Sequence, residues 1–134
     1  MQLLLLISGR SDVILQKNNI YNDIQIIKID EKDLVNFNKI LKLVRDNKYS
    51  AVYFGTVDIS FQRFHFFMKA YILLSNSKKG GVIDEFGKKN LLNIPLFFIK
   101  EFPLFIIELI FSLFLIIYYY LKFPVIKWVY LKKK

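Results

Sequence analysis

Cysteine is absent and histidine occurs once in the chain, which excludes a disulfide scaffold, a thiolate zinc site, an iron–sulfur cluster, a cysteine nucleophile and a histidine-rich metal centre together. Proline (3) and glycine (5) are scarce, so neither a collagen-like nor a low-complexity disordered chain fits. At 134 residues there is room for one core, and two-domain enzymes of ordinary size do not fit. What fills the chain is apolar: 54% hydrophobic residues, 17% aromatics and 14 phenylalanines, against 23% charged. The net charge of +9, from 20 basic against 11 acidic side chains, favours a polyanionic neighbour such as anionic lipid or nucleic acid.

Composition shifts near residue 91, dividing the chain into a mixed part (1–90) and a nearly continuous apolar part (91–134). Gln2 to Ile7 is a short apolar run ending at Ser8-Gly9-Arg10-Ser11, the pattern of a strand buried on both faces. No basic segment precedes it and no small-residue cleavage site follows, so it is not expected to be a signal peptide. A brief helical or irregular stretch over Asp12–Asn18 leads to a second strand, Ile24–Ile29, rich in β-branched residues. Leu34, Phe37, Ile40, Leu41 and Val44 recur at steps of three and four, predicting a helix over 31–47 with acids in its first turn and bases toward its end. A third strand at Ala51–Phe54, a helix over Ser60–Ser75 and a fourth strand at Gly81–Ile83 complete the alternation. Such alternation predicts an α/β fold: a small Rossmann-like parallel sheet of about four strands with right-handed crossovers.

Phe102 to Leu121 is a twenty-residue apolar run broken by one ionisable side chain, Glu108. At ~1.5 Å per residue a helix of that length spans the ~30 Å hydrocarbon core. A domain of ninety residues has too little surface to wrap a helix apolar on every side, so a membrane helix is expected. Beyond it, Lys122, Lys127, Trp128, Lys132, Lys133 and Lys134 form an aromatic and basic interface for anionic headgroups. Lysines also precede the run (Lys78, Lys79, Lys88, Lys89, Lys100), so both flanks are positive. Entry and return on one face, with breaks at Pro103 and Pro124, reconciles this with a cytoplasmic-face location; a single span is the alternative. Leu91–Phe102 reads as an approach helix in the headgroup layer. Glu108 is either a contact to a partner helix or a lipid-linked substrate, or a carboxyl reaching interfacial water.

In doubly wound sheets ligands bind beyond the C-terminal strand ends, which directs attention to Ser8–Asp12, Gly55–Ser60 and Asp84–Lys89. Gly9, Arg10 and Ser11 supply backbone N–H groups and a guanidinium suited to a phosphate, with Gly55 and Thr56 alongside as further substrate-binding candidates; an ordinary strand-to-helix turn has the same pattern. Neither GxGxxG nor GxxxxGK[ST] occurs, so no dinucleotide or nucleoside triphosphate cofactor is implied. Asp58, Asp84 and Glu85 are candidate catalytic groups, as general base or as acceptors for sugar hydroxyls, or else solvated loop acids. His65, among Phe61, Phe64, Phe66 and Phe67, reads as a packed residue. Arg63, Lys69, Lys78 and Lys79 form a basic band, facing either headgroups or bulk water.

The passage Lys48-Tyr49-Ser50-Ala51-Val52-Tyr53-Phe54-Gly55, then Arg63, then Leu73-Leu74-Ser75-Asn76-Ser77-Lys78-Lys79, then Val82-Ile83-Asp84-Glu85-Phe86-Gly87-Lys88 resembles the N-terminal, acceptor-side half of GT-B glycosyltransferases of the heptosyltransferase type, over residues 1–90. The resemblance implies that Gly9, Arg10 and Asp58 lie near an acceptor cleft with Asp84 and Glu85 beside it. It also implies that a nucleotide-sugar is bound by a second Rossmann half, here a separate partner protein. The expected function is therefore the acceptor-side half of a membrane-associated glycosyltransferase of cell-envelope polysaccharide or glycolipid synthesis, not active alone, with a lipid-linked or saccharide acceptor. The alternative is a non-enzymatic membrane-anchored adaptor. Nucleic acid is disfavoured, because the charge gathers beside the apolar segment and no recognition motif appears.

Overall fold

The structure is a computed structural model that describes residues 1–21 and 23–132; the interface candidates Lys133 and Lys134 lie outside the described residues. The chain divides into two compact units, Met1–Ile94 and Pro95–Lys134, a few residues beyond the shift in composition.

The first unit is an α/β fold around a five-stranded sheet of order β2-β1-β3-β4-β5, with β1 Gln2–Leu6, β2 Ile24–Lys28, β3 Val52–Thr56, β4 Gly80–Asp84 and β5 Lys89–Leu91. The first four strands pair in parallel. β1 lies between β2 and β3 and is covered on both faces, which is why a run of consecutive leucines suits it: Leu3, Leu4 and Leu5 are all fully buried. The chain moves one way from β1 to β2 and the other way from β2 through β3 to β4, so right-handed crossovers put the first helix on one face and the next two on the other. Accordingly Ile14 of α1 (Ser11–Lys17) packs with Leu4, Leu6 and Ile83. Ile40 and Val44 of α2 (Phe37–Val44) and Met68, Tyr71 and Ile72 of α3 (His65–Leu74) pack with Leu3, Leu5, Val52, Phe54 and Val82.

Three sequence expectations change. The helix over 31–47 is two pieces, a 3₁₀ turn at Glu31–Val35 and α2. Asp30 and Asp33 satisfy each other's backbone N–H groups at the start, and the Asn36 side chain accepts from Lys39 N–H at 3.3 Å, so local side-chain caps restart the helix. The helix over 60–75 likewise begins at His65, after a 3₁₀ turn at Ile59–Phe61 capped by Asp58. The sheet has a fifth, antiparallel strand at Lys89–Leu91, where the sequence suggested the end of the Asp84–Lys89 loop and, at Leu91, the first residue of an approach helix. Its residues, Lys-Asn-Leu, carry no strand signature, and the ladder to β4 holds them. Gly81 makes that pairing fit, since a Cβ there would lie 2.6 Å from the Asn90 carbonyl oxygen.

The second unit continues the helix α4, Ile94–Lys132. The breaks expected at Pro103 and Pro124 are absent, so the re-entrant path gives way to one continuous helix. Pro95 sits in the first turn, where a missing N–H costs nothing. Before Pro103 the helix widens into a π turn over Phe97–Glu101, with Phe102 N–H bonded to the Phe97 carbonyl; a wider turn relieves the clash a proline ring makes with the carbonyl four residues earlier. The helix also passes through Pro124. It is long and apolar enough to cross a membrane by length and composition: 39 residues at ~1.5 Å each reach about 58 Å, against ~30 Å of hydrocarbon. Its large side chains are open to their surroundings, from Phe111 to Tyr120 at 80%. Lys122, Lys127, Trp128 and Lys132 are all exposed on it, with Lys132 Nζ 4.2 Å from the Trp128 ring centroid. Among the described residues the Glu108 side chain makes no hydrogen bond or ion pair.

Candidate functional site at the strand switch point

β1 is followed by a crossover to one side and β3 by a crossover to the other, so the loops after these two neighbouring strands diverge and leave a crevice. A cleft of about 270 Å³ occupies that place, lined by Ser8, Glu31, Thr56, Val57, Asp58, Phe61 and Gln62. Ser8 Oγ closes its floor. It lies 3.2 Å from Thr56 Oγ1 and accepts from Val57 N–H at 3.2 Å, tying the ends of β1 and β3 together.

Asp58 is held on the rim by the turn it caps. Its Oδ1 accepts from Ser60 N–H at 2.8 Å, and Lys88 Nζ lies 3.6 Å from the same oxygen and 3.2 Å from Ser60 Oγ. The Ser60 N–H is the chief cause that holds the Asp58 carboxyl below its ordinary pKa; partial desolvation opposes it and Lys88 adds to it. Gln62 accepts from Phe64 N–H through Oε1, leaving its amide donors for a ligand.

The three acidic candidates are thus placed in different roles. Asp58 lines the cleft. Asp84 is fully buried, with Oδ1 accepting from Phe86 N–H (3.0 Å) and Lys88 N–H (2.8 Å) and Oδ2 accepting from Ile59 N–H (3.2 Å). It fastens the loop after β4 to the loop after β3, so it positions Asp58 and Lys88. Glu85 accepts from Arg10 N–H through Oε1 at 2.5 Å, and its own N–H donates to the Val57 carbonyl.

That contact bears on the phosphate expectation. The backbone donor at the start of α1 that a phosphate would use is taken by a carboxylate of the same chain, as the positive end of a helix prefers. Gly9 makes the approach possible: its φ is +89°, and a Cβ would lie 2.7 Å from Glu85 Oε1. Gly9 and Arg10 are therefore gathered with Glu85, and Thr56 with Ser8. Ser11 opens α1 and is not among the cleft residues. Gly55 is buried beneath α1, where a Cβ would lie 3.2–3.3 Å from Leu4, Leu6 and Ile14. It is a close-packing glycine.

Glu31, Phe61 and Gln62 were not singled out from the sequence. Glu31 was read as an acid in a helix first turn, although it follows β2 and so belongs to the same family of strand-end loops. His65 lies outside the cleft lining. Its Nε2 is 2.7 Å from the Ile59 carbonyl oxygen, an acceptor only, so Nε2 carries the proton, and Nδ1 is buried without a partner among the described residues.

The cleft lining carries two carboxylates, two hydroxyls, one amide and one phenyl ring, and no basic side chain. Such a set repels a phosphate and suits a neutral, hydroxyl-rich molecule: carboxylates and Gln62 exchange hydrogen bonds with hydroxyls, while Phe61 offers a ring to an apolar sugar face. Among the described residues no group of three or more potential ligands could hold a metal ion. Comparison with protein-family models, curated proteins and solved structures returns no match.

Proposed function

We propose that the chain is the acceptor-side half of a membrane-associated glycosyltransferase, in which the cleft between β1 and β3 receives a sugar-bearing or lipid-linked acceptor. The observation that carries this reading is the lining itself: hydroxyl-binding groups gathered at a switch-point crevice whose nearest anion site is filled by Glu85. A nucleotide-sugar carries a diphosphate, which this crevice would repel, so the donor belongs on a separate nucleotide-sugar-binding protein, as in the two-part architecture that the sequence resembles. Asp58 and Glu31 are the groups within the cleft suited to accept a proton or a hydrogen bond from an acceptor hydroxyl, with Asp84 and Glu85 setting the loops around them. Helix α4 holds the unit at the bilayer. The location that goes with this reading is the cytoplasmic face; Lys88, Lys89 and Lys100 before the apolar run and Lys122, Lys127 and Lys132 after it give both flanks cations for anionic headgroups.

The test is isolation of the full chain from membranes with its bound proteins and lipids, followed by assay of sugar transfer. The reading expects a co-purifying nucleotide-sugar-binding protein. It expects Asp58→Asn or Glu31→Gln to lower transfer by roughly 10²–10⁴-fold, the usual worth of a positioned proton acceptor. Transfer unchanged in both variants, in an intact complex, would count against the cleft. A bound protein that lacks any nucleotide-sugar site would instead favour a membrane-anchored adaptor.

A further inference from the structure

Within Phe102–Leu121 only Glu108, Ser112, Tyr118, Tyr119 and Tyr120 have side chains that form hydrogen bonds. The α-helix is continuous through this stretch and on to Lys132. At about 100° per residue, Ser112 lies about 40° round the helix from Glu108, Leu115 and Tyr119 about 20°, and Lys122 about 40°. The one carboxyl, the one aliphatic hydroxyl, a tyrosine and the first lysine beyond the run therefore share a stripe along α4. The opposite side holds Ile106, Ile110, Leu113, Ile117 and Leu121.

The depth of Glu108 limits what can meet it. Lys100 and Glu101 before the run and Lys122 after it bracket twenty residues, which at ~1.5 Å each match the ~30 Å hydrocarbon core and leave no slack in the register. Glu108 then sits about 9 Å inside the nearer edge. Lysine and arginine stems snorkel from helix ends to the headgroups, whereas the glutamate stem is too short to do so from this depth. Among the described residues neither its carboxyl nor the Ser112 hydroxyl has a hydrogen bond or ion pair, and both residues are exposed on the helix. Acyl chains offer no donor, so a lipid tail would leave the carboxyl unpaired where that is costly.

We infer that this stripe is a helix–helix contact whose occupant is a membrane helix of another protein, with a basic side chain at the depth of Glu108. Charge complementarity makes the choice. An ionised carboxyl only accepts hydrogen bonds, and charges within a bilayer pair with one another in a bundle interior. Arginine fits best, since its fork binds a carboxylate through two parallel bonds, and Ser112 one turn on adds a polar contact. A second copy of this chain fits poorly: inserted in the same orientation, it would bring Glu108 against Glu108 and Lys122 against Lys122 at equal depth. The inference rests on the membrane reading of α4 and is independent of what the cleft receives. It would hold the two-protein assembly together within the bilayer.

The test uses the full chain in phosphatidylcholine vesicles, with a donor fluorophore on Leu131→Cys, a unique thiol because the chain has no other. The probes are synthetic leucine helices of membrane length that carry an acceptor dye and, at the depth of Glu108, either arginine or leucine. Energy transfer to the arginine helix should exceed that to the leucine helix. Glu108→Leu should weaken association with the arginine helix about 5- to 30-fold, the worth of a polar contact between model membrane helices. Glu108→Leu combined with Ile110→Glu moves the carboxyl to the far side and should restore only part of it. In native membranes, a photoreactive residue at position 115 should crosslink to a membrane helix with Lys or Arg within one turn of the attachment point, and one at position 117 to lipid alone. Equal transfer to both probes, or lipid attachment at both positions, overturns the inference and leaves the membrane reading standing. Full restoration by the moved carboxyl means that no face is preferred and overturns it as well. Transfer between labelled copies of the chain itself that Glu108→Leu abolishes would assign the stripe to a second copy, against the inference. Release of the chain from vesicles by alkaline carbonate overturns the inference and the membrane reading together.

Discussion

The two units spend the same amino acids in opposite ways. In the α/β unit the leucines of β1 vanish into a sheet covered on both faces. In α4 a run of equal oiliness buries Phe97 near its start but leaves its leucines, phenylalanines and tyrosines open from Ile106 to Lys132. The difference teaches that hydrophobicity alone does not determine burial; periodicity and interruption do. Where apolar runs are five residues long and broken by Ser, Asn, Asp or Gly, the chain can bury them against itself. Where the run is twenty residues long and broken only by Glu108, the helix is long and apolar enough to cross a membrane, and in lipid that form would keep every backbone group paired.

The sharpest way to break this contrast is backbone geometry in the first unit. Gly80 has φ +137°, and a Cβ there would lie 1.7 Å from the Val52 carbonyl oxygen. Gly80→Ala should therefore cost on the order of 4 kcal/mol or more and uncouple β4 from β3, read as loss of cooperative unfolding in detergent solution. Next is a matched pair. Leu5→Ala should lower the stability of the α/β unit by about 2–5 kcal/mol, because a fully buried side chain leaves a cavity. Leu113→Ala, half exposed on α4, should leave the denaturant midpoint of that unit unchanged. Equal effects would mean that the two regions share one core.

A smaller effect comes from the buried carboxyl that links the loops. Asp84→Ala strands three backbone N–H groups and should cost about 3 kcal/mol. Hydrogen exchange should speed up at Ile59, Phe86 and Lys88 before it does so in β1. The smallest effect is electrostatic. Asp58 and Asp33 both have lowered pKa values, through hydrogen bonds to Ser60 N–H and to Lys39 respectively. Their contribution is fully present above the unfolded carboxyl value of about 4 and is lost as pH falls through the lowered values. Thermal midpoints measured from pH 7 downward should fall on the acid side, and Asp58→Asn should make that fall shallower.

Much of this was legible in the sequence. The alternation of short apolar runs with a 3.6-period helix gave the α/β class, and the switch-point rule pointed to the loops after β1 and β3, where the cleft is found. What escaped was tertiary in origin. Lys89-Asn90-Leu91 becomes a strand only because β4 offers its edge, and Pro103 does not stop α4 because the preceding turn widens. The candidate acids could not be told apart, since sequence says that Asp84 and Glu85 sit at a strand end but not that one turns inward to three N–H groups while the other reaches across to Arg10. Glu31 stayed hidden because its position reads equally well as a helix-start acid.

The most direct test of the division between water-solvated and lipid-solvated units is thiol labelling of the full chain in intact vesicles, using Tyr21→Cys and Leu113→Cys with a membrane-impermeant maleimide. The account predicts prompt labelling at position 21 and protection at position 113 until detergent dissolves the bilayer. Equal labelling at both positions in intact vesicles would contradict it.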